Sequence, residues 1–264
     1  MFLTSKNDVA SDRSEGWGSQ DGSEVRWLLD SESGGTRGGA VGLVDLEPGA
    51  AQEAHRHPGG TEASLILSGA ATFLLGDREI EGIEGSVLYV AAGTRHAIVA
   101  GDGPLSLLTV LTGGPRAADS GWERAPDPEP GEGTVLSGTE QEEIVLDDPD
   151  QGFLKMNARW VVNSDTCGSV ALVLGRNRFA VEGAHELHKH PNAEEFFLLL
   201  EGEGAHLGEN EEVFVSPGEI ALLPAEEWHG FRNTGGAEAS GVFGYLGIGK
   251  FEQAGYVLAP ETGS

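Results

Sequence analysis

His55-Arg56-His57-Pro58-Gly59-Gly60-Thr61-Glu62 is followed, 133 residues further on, by His188-Lys189-His190-Pro191-Asn192-Ala193-Glu194-Glu195. In an extended strand alternate side chains share a face, so both histidines of each His-x-His project the same way. The Pro-, Gly- or Asn-containing turn that follows lets the next strand bring Glu62 or Glu195 toward them. Each stretch is a candidate metal site, and the rest of the chain is read around the pair.

The offset of 133 extends well beyond these residues. Arg26-Trp27-Leu28-Leu29-Asp30 matches Arg159-Trp160-Val161-Val162-Asn163, and the same step carries Gly69 to Gly202, Gly85 to Gly218 and His96 to His229. Gly121-Trp122 and Ala125-Pro126 reappear as Gly255-Tyr256 and Ala259-Pro260 with one residue inserted. The chain is a tandem duplication, so each half is one copy of a small domain. Short strands separated by Gly, Pro, Asn or Asp, without sustained helical periodicity, make it all-β. Trp27 and Trp160 are expected to fill a core or a seam, with Arg26 and Arg159 facing outward.

Residues 1–22, rich in Ser, Asp and Gly, are expected to form a loose N-terminal arm anchored by Trp17. Residues 23–118 form the first domain, the Gly/Pro/Asp/Glu-rich residues 119–138 an exposed linker, and residues 139–264 the second domain. With 43 acidic against 16 basic residues the chain has a net charge of -27, which excludes nucleic acid and anionic membranes as partners. Cys167 is the only cysteine, leaving no intrachain disulfide and no thiolate cluster. The N-terminus lacks the apolar core of a secretory signal, and no run reaches the roughly 20 apolar residues of a membrane span. A soluble cytoplasmic protein is expected.

With the later histidines His96 and His229 added, the spacings resemble the two motifs of the cupin superfamily, G-x5-H-x-H-x3,4-E-x6-G and G-x5-P-x-G-x2-H-x3-N. The first half matches at Gly49, His55, His57, Glu62, Gly69, Gly85, Gly93 and His96, with Ala91 and Ala100 in place of the proline and asparagine. The second matches at His188, His190, Glu195, Gly202, Gly218, Pro224, His229 and Asn233, with Glu182 and Glu226 in place of two glycines. The resemblance to a bicupin implies two tandem double-stranded β-helix (jelly-roll) barrels, each binding up to one divalent metal ion. His55, His57, Glu62 and His96 form one ligand set, and His188, His190, Glu195 and His229 the other. His185 and His206 are left as structural or surface residues.

Three imidazoles and a carboxylate suit Fe(II), Mn(II), Ni(II), Co(II) or Zn(II). An octahedral ion leaves two positions for dioxygen, water or a bidentate small-molecule substrate. Strand parity puts Arg56, Arg95 and Lys189 outside the barrels. It places Ser64, Ile66 and Ile98 in the first pocket and Phe197, Leu199 and Phe231 in the second, making the second more aromatic. Resemblance implies an Fe(II)-type dioxygenase that cleaves a C–C bond in an enolic or phenolic substrate, with Glu62 or Glu195 as a catalytic base, as in flavonol-cleaving cupins. The alternatives are a non-oxidative isomerase, decarboxylase or aminohydrolase, and a non-catalytic bicupin that holds a small ligand. Oxalate decarboxylase is less attractive, because no cationic pocket is evident and the chain is short for that family. Ureidoglycine aminohydrolase is a bicupin of similar length, but the motifs here are closer to the general cupin pattern. Storage cupins commonly lose the ligand histidines, and here both sets are intact. Cupins often form homodimers through exposed sheet edges, so the resemblance admits a homodimer here without deciding the oligomeric state.

Overall fold

Short leucine-, valine- and phenylalanine-rich runs closed by Gly, Pro or Asp form strands throughout the computed structural model, which describes residues 1–12 and 22–260. Trp17 lies outside the described residues. The chain opens with β1 (Phe2–Ser5). The first half continues through β2 (Ser23–Leu29), β3 (Gly39–Leu46), β4 (His55–Arg56), β5 (Glu62–Ser68), β6 (Ala70–Leu75), β7 (Arg78–Ile83), β8 (Ser86–Val90), β9 (His96–Ala100), β10 (Leu105–Thr112) and β11 (Glu123–Arg124). Then come β12 (Gly133–Ser137), β13 (Ile144–Asp148), β14 (Phe153–Val162), β15 (Leu172–Lys189) and β16 (Glu194–Glu201). The last strands are β17 (Gly204–Gly208), β18 (Glu212–Val215), β19 (Glu219–Leu223), β20 (His229–Asn233), β21 (Ala239–Leu246) and β22 (Val257–Leu258).

In the first half a sheet in the order β12-β8-β5-β10-β3-β2 faces a second in the order β11-β4-β9-β6-β7. Phe73, Leu88, Ile98 and Leu107 fill the space between them. Ile66 belongs to the same core. The second half repeats the plan, but its two layers are continuous. Its β15 runs unbroken through the stretch where Pro48-Gly49 separates β3 from β4, so the strand pairs with β21 in one layer and β20 in the other. Helix is minor. The turn Ser164–Cys167 is capped by Asn163, whose side chain accepts from the Asp165 and Thr166 amides, and it holds the half-buried Cys167.

The halves meet through a shared apolar core. Leu28, Leu65, Tyr89 and Leu108 of the first pack with Val162, Phe196, Ile220 and Val242 of the second. They also exchange strands: β1 pairs with β19 of the second half, and β12, at the start of the second half, pairs with β8 of the first. The N-terminal residues expected as a loose arm therefore include a paired strand. Likewise, residues 119–138, expected as an exposed linker, carry β11 on β4 and β12 on β8. Among the described residues no helix is long and apolar enough to cross a membrane.

The two lost motif glycines leave a mark on the backbone. Gly49 and Gly93 of the first half sit at φ +72° and +76°, and their counterparts Glu182 and Glu226 sit at φ +64° and +67°. A Cβ is strained in this left-handed region, and the exposed pairs Lys155–Glu182 and Lys189–Glu226 offset little of that strain. Glu182→Gly and Glu226→Gly are each expected to raise the melting temperature by roughly 2–4 °C, net of the entropy a glycine adds to the unfolded chain. Calorimetry on the single and double variants checks this, and a lowered melting temperature refutes it.

Candidate metal centres

In the first half β4 and β9 bring His55 opposite His96, His57 follows at the exit of β4, and β5 opens on Glu62. In the second half the end of β15 brings His188 opposite His229 at the start of β20, with His190 just beyond and Glu195 on β16. The eight residues named from sequence thus converge in two groups of four. In each group one ligand atom per residue lies within 4.8 Å of all the others.

Every one of the six histidines has its Nδ1 against a backbone carbonyl. His55, His57 and His96 donate to Glu53, Gly121 and Thr94. His188, His190 and His229 donate to Glu186, Gly255 and Glu227. A carbonyl only accepts, so each Nδ1 carries the proton and each Nε2 turns a lone pair into its cluster. His188 Nε2 is buried without a hydrogen-bond partner. An orphaned lone pair among two other imidazoles and a carboxylate is the donor set of a divalent metal ion.

The electrostatics agree. Burial holds His55 and His188 well below the usual histidine range, so both favour the neutral, ligating form. Burial alone would raise Glu62 and Glu195, but the adjacent imidazoles outweigh it and hold both carboxyls ionised. Glu62 Oε2 lies 3.2 Å from His57 Nε2 and 3.0 Å from His96 Nε2; Glu195 Oε2 lies 3.2 Å from His190 Nε2 and 3.3 Å from His229 Nε2. Burial opposes protonation of His96 and His190, yet the glutamates beside them outweigh it and raise both above the usual histidine range.

The surroundings of the two glutamates differ. Glu62 Oε1 accepts from Ser64 Oγ at 2.7 Å, and Ser64 Oγ lies 2.8 Å from Thr109 Oγ1. The positions equivalent to Ser64 and Thr109 are Phe197 and Phe243, which cannot clamp Glu195. The Glu62 side chain is 2% exposed and that of Glu195 11%. Opposite Glu62 on the neighbouring strand stands Leu111; opposite Glu195 stands Tyr245, with Oη 3.3 Å from His190 Nε2. Burial and the Glu195 carboxylate push Tyr245 well above its ordinary value, which keeps the phenol neutral.

Glu195, Tyr245 and His185 border a cavity of about 240 Å³, walled by Phe153, Trp160, Phe243 and Phe251. Phe197, Leu199 and Phe231 lie elsewhere, in the second barrel's core, where Phe231 packs on Phe179 and on His206. Arg56 pairs with Glu129, and Lys189 pairs with Glu226 and lies over Trp228. Arg95 is buried, but against the carbonyls of Gly76 and Ala125 and away from the cluster.

Of the two histidines left as structural or surface residues, His206 is buried and His185 is half-buried. His185 stacks on His188 at 3.7 Å, because a bulge between them brings residues three apart onto one face. Tyr256 Oη donates to the Gln151 carbonyl, so it accepts from His185 Nε2. His206 sits edge-on to Phe197 and Phe231, and burial lowers it to about 4. Below pH 6.5 the unfolded chain protonates this histidine and the folded chain does not, so stability falls as pH drops toward 4. The slope from this residue is up to about 1.4 kcal/mol per pH unit. His206→Asn is expected to remove that share, seen as a smaller loss of urea midpoint between pH 7 and pH 5; an unchanged loss refutes it.

The family model for the cupin domain matches residues 42–111 and 176–244, and the chain belongs to this family. Among solved structures it is similar to Bacillus subtilis oxalate decarboxylase, with TM-score 0.76, 16% identity, and 99% of this chain and 82% of that one covered. It is also similar to the Lactobacillus farciminis oxalate decarboxylase formate complex, with TM-score 0.75, 15% identity, and 94% and 86% covered. At these identities the likeness is one of fold. No curated protein matches the chain by sequence.

Proposed function

We propose that the chain is a metal-dependent enzyme that cleaves a carbon–carbon bond in a small, largely apolar substrate, and that its reaction centre is the second-half cluster. The observation that carries this reading is the aromatic cavity of about 240 Å³ bordered by Glu195. A divalent ion held by three neutral imidazoles and one carboxylate keeps one net positive charge, and among the described residues lining the cavity there is no lysine or arginine. A monoanion such as an enolate, a phenolate or a monocarboxylate neutralises that centre. A dianion such as oxalate leaves an uncompensated charge among aromatic rings, which is costly.

The bound ion supplies Lewis acidity and open coordination positions. The chain's own groups do the rest: Phe153, Trp160 and Phe251 exclude water, Tyr245 offers a neutral hydroxyl beside His190, and unclamped Glu195 can take up a proton from the substrate. In the first half the Ser64–Thr109 relay fixes Glu62 as a permanent ligand, which suits an ion that stiffens the barrel. The cleavage takes one of two courses. A dioxygen-consuming course suits an enolate or phenolate in a dry cavity. Loss of carbon dioxide from a monocarboxylate is the second reading, favoured by the fold shared with oxalate decarboxylases.

The test is protein loaded anaerobically with Fe(II) or Mn(II), then offered catechols, enolised diketones, apolar monocarboxylates and oxalate while oxygen and carbon dioxide are followed. Turnover of a monoanion over oxalate is expected, and the gas consumed or released separates the two courses. Preference for oxalate, or failure of the second cluster to take up metal, overturns the reading.

A further inference from the structure

Asn177 is a polar residue that the metal centre does not use. It lies on β15 and borders an outer groove together with Arg176 and Arg178; Arg178 pairs there with Glu143 and Glu238, so by alternation the Asn177 side chain faces the barrel interior. There it lines the same cavity as Glu195, Tyr245 and His185. Asn177 is 6% exposed, and its Oδ1 is buried without a hydrogen-bond partner. The cross-strand residues beside it are Ala158 and Gly241, neither of which has a side-chain polar atom to offer. The equivalent position in the first half, 133 residues earlier, is Val44, fully packed in the core.

A buried amide acceptor without a partner is destabilising unless something in the cavity completes it, and the duplicate copy shows that the strand accepts valine at this position. We infer that Asn177 is a specificity-determining residue: its amide accepts a hydrogen bond from an N–H or O–H group on the part of the substrate remote from the metal-binding oxygens. The inference rests on the second-half cluster being the reaction centre. It narrows the substrate to a chelating monoanion with an apolar body and one donor group at its far side. Sites built around such an acceptor discriminate strongly against analogues lacking the donor.

Two chelating probes test it on the intact Zn(II)-loaded chain by calorimetry: a hydroxypyranone and the hydroxypyridinone of the same skeleton. Both chelate through the same hydroxyl–ketone pair, and they differ at one ring atom, oxygen in the first and N–H in the second. The ratio of their affinities cancels most of the difference in chelation when it is compared between the native protein and Asn177→Val. We expect the pyridinone preference to fall roughly fivefold to tenfold in Asn177→Val. Asn177→Ala, which removes atoms and adds none, gives the same readout if valine disturbs the strand. An unchanged ratio, as when the amide only holds a trapped water, overturns the assignment and leaves the reaction centre standing. Failure of both probes to bind in a metal-dependent way overturns the reaction centre and this inference together.

Discussion

His190→Ala is expected to remove metal-dependent turnover by at least about a thousandfold, while His57→Ala is expected to leave most of it and instead to lower the stability of the chain. The difference follows from the two glutamates. Losing His190 strips the second cluster of an imidazole whose Nδ1 is tied to the Gly255 carbonyl and whose Nε2 faces both Glu195 and Tyr245. No neighbouring group replaces it, and the loss of Lewis acidity alone amounts to several kcal/mol of transition-state stabilisation. His57 occupies the same place in a cluster whose carboxylate is fixed by Ser64 and is almost fully buried. There the proposed ion would act by linkage: metal at a thousandfold excess over its Kd contributes about 4 kcal/mol to stability, and that is what His57→Ala is expected to forfeit. Steady-state rates with metal analysis, and urea unfolding with and without chelator, check both halves of the statement. Equal loss of turnover in the two variants, or the reverse order, defeats the assignment of the reaction to the second barrel.

Arg95→Ala is expected to cost roughly 3–5 kcal/mol, a large effect for a residue that donates to backbone carbonyls. The side chain is 7% exposed, and its guanidinium donates to the carbonyls of Gly76 and Ala125 at 2.9 Å each and reaches that of Pro126 at 3.5 Å. Removing it leaves three carbonyls short of a donor and unpins the segment that carries β11. The Gly121 carbonyl, which orients His57, lies just before that strand. Metal affinity of the first cluster should therefore fall by roughly tenfold as well, the usual consequence of disturbing the hydrogen bond behind a ligand histidine. Urea unfolding, metal titration of the His190→Ala background and protease sensitivity around residues 119–131 report on the three effects. A variant with native stability and native cleavage resistance refutes the role given to Arg95.

The two four-residue clusters and the doubled barrel were legible because their signals are strong and local. A His-x-His on a strand has only one way to project, and the offset of 133 repeats that constraint together with Glu62/Glu195 and His96/His229. The elements that composition misread are short. β11 has two residues and no periodicity, so Pro, Gly and acidic residues around it read as linker, although Gly121-Trp122 and Gly255-Tyr256 already marked it as a repeated part. β1 was hidden in the same way. The cavity wall was out of reach for another reason: Phe153 and Trp160 come from β14 and Phe251 from beyond β21, outside the metal motifs, so alternation from the ligands could not reach them. His185 was obscured by a bulge, which breaks the parity on which such reading depends. For Arg95 parity correctly turned the side chain away from the cluster, but the outer face there is covered by residues 125–126, so it is buried.

The exchange of β1 and β12 gives the chain an order of assembly. The first barrel can recruit β12 as soon as residues 133–137 have been made, because β8 precedes them. β1 must wait for β19, so a strand synthesised before every other described one is among the last of them to be paired. Until then the edge of β19 and the apolar side chains of Phe2 and Leu3 are both available to other molecules, the circumstance in which an unpaired strand recruits a wrong neighbour. Loss of the first five residues should therefore leave the first barrel to form normally and show itself in the second, as aggregation during refolding that added β1 peptide suppresses.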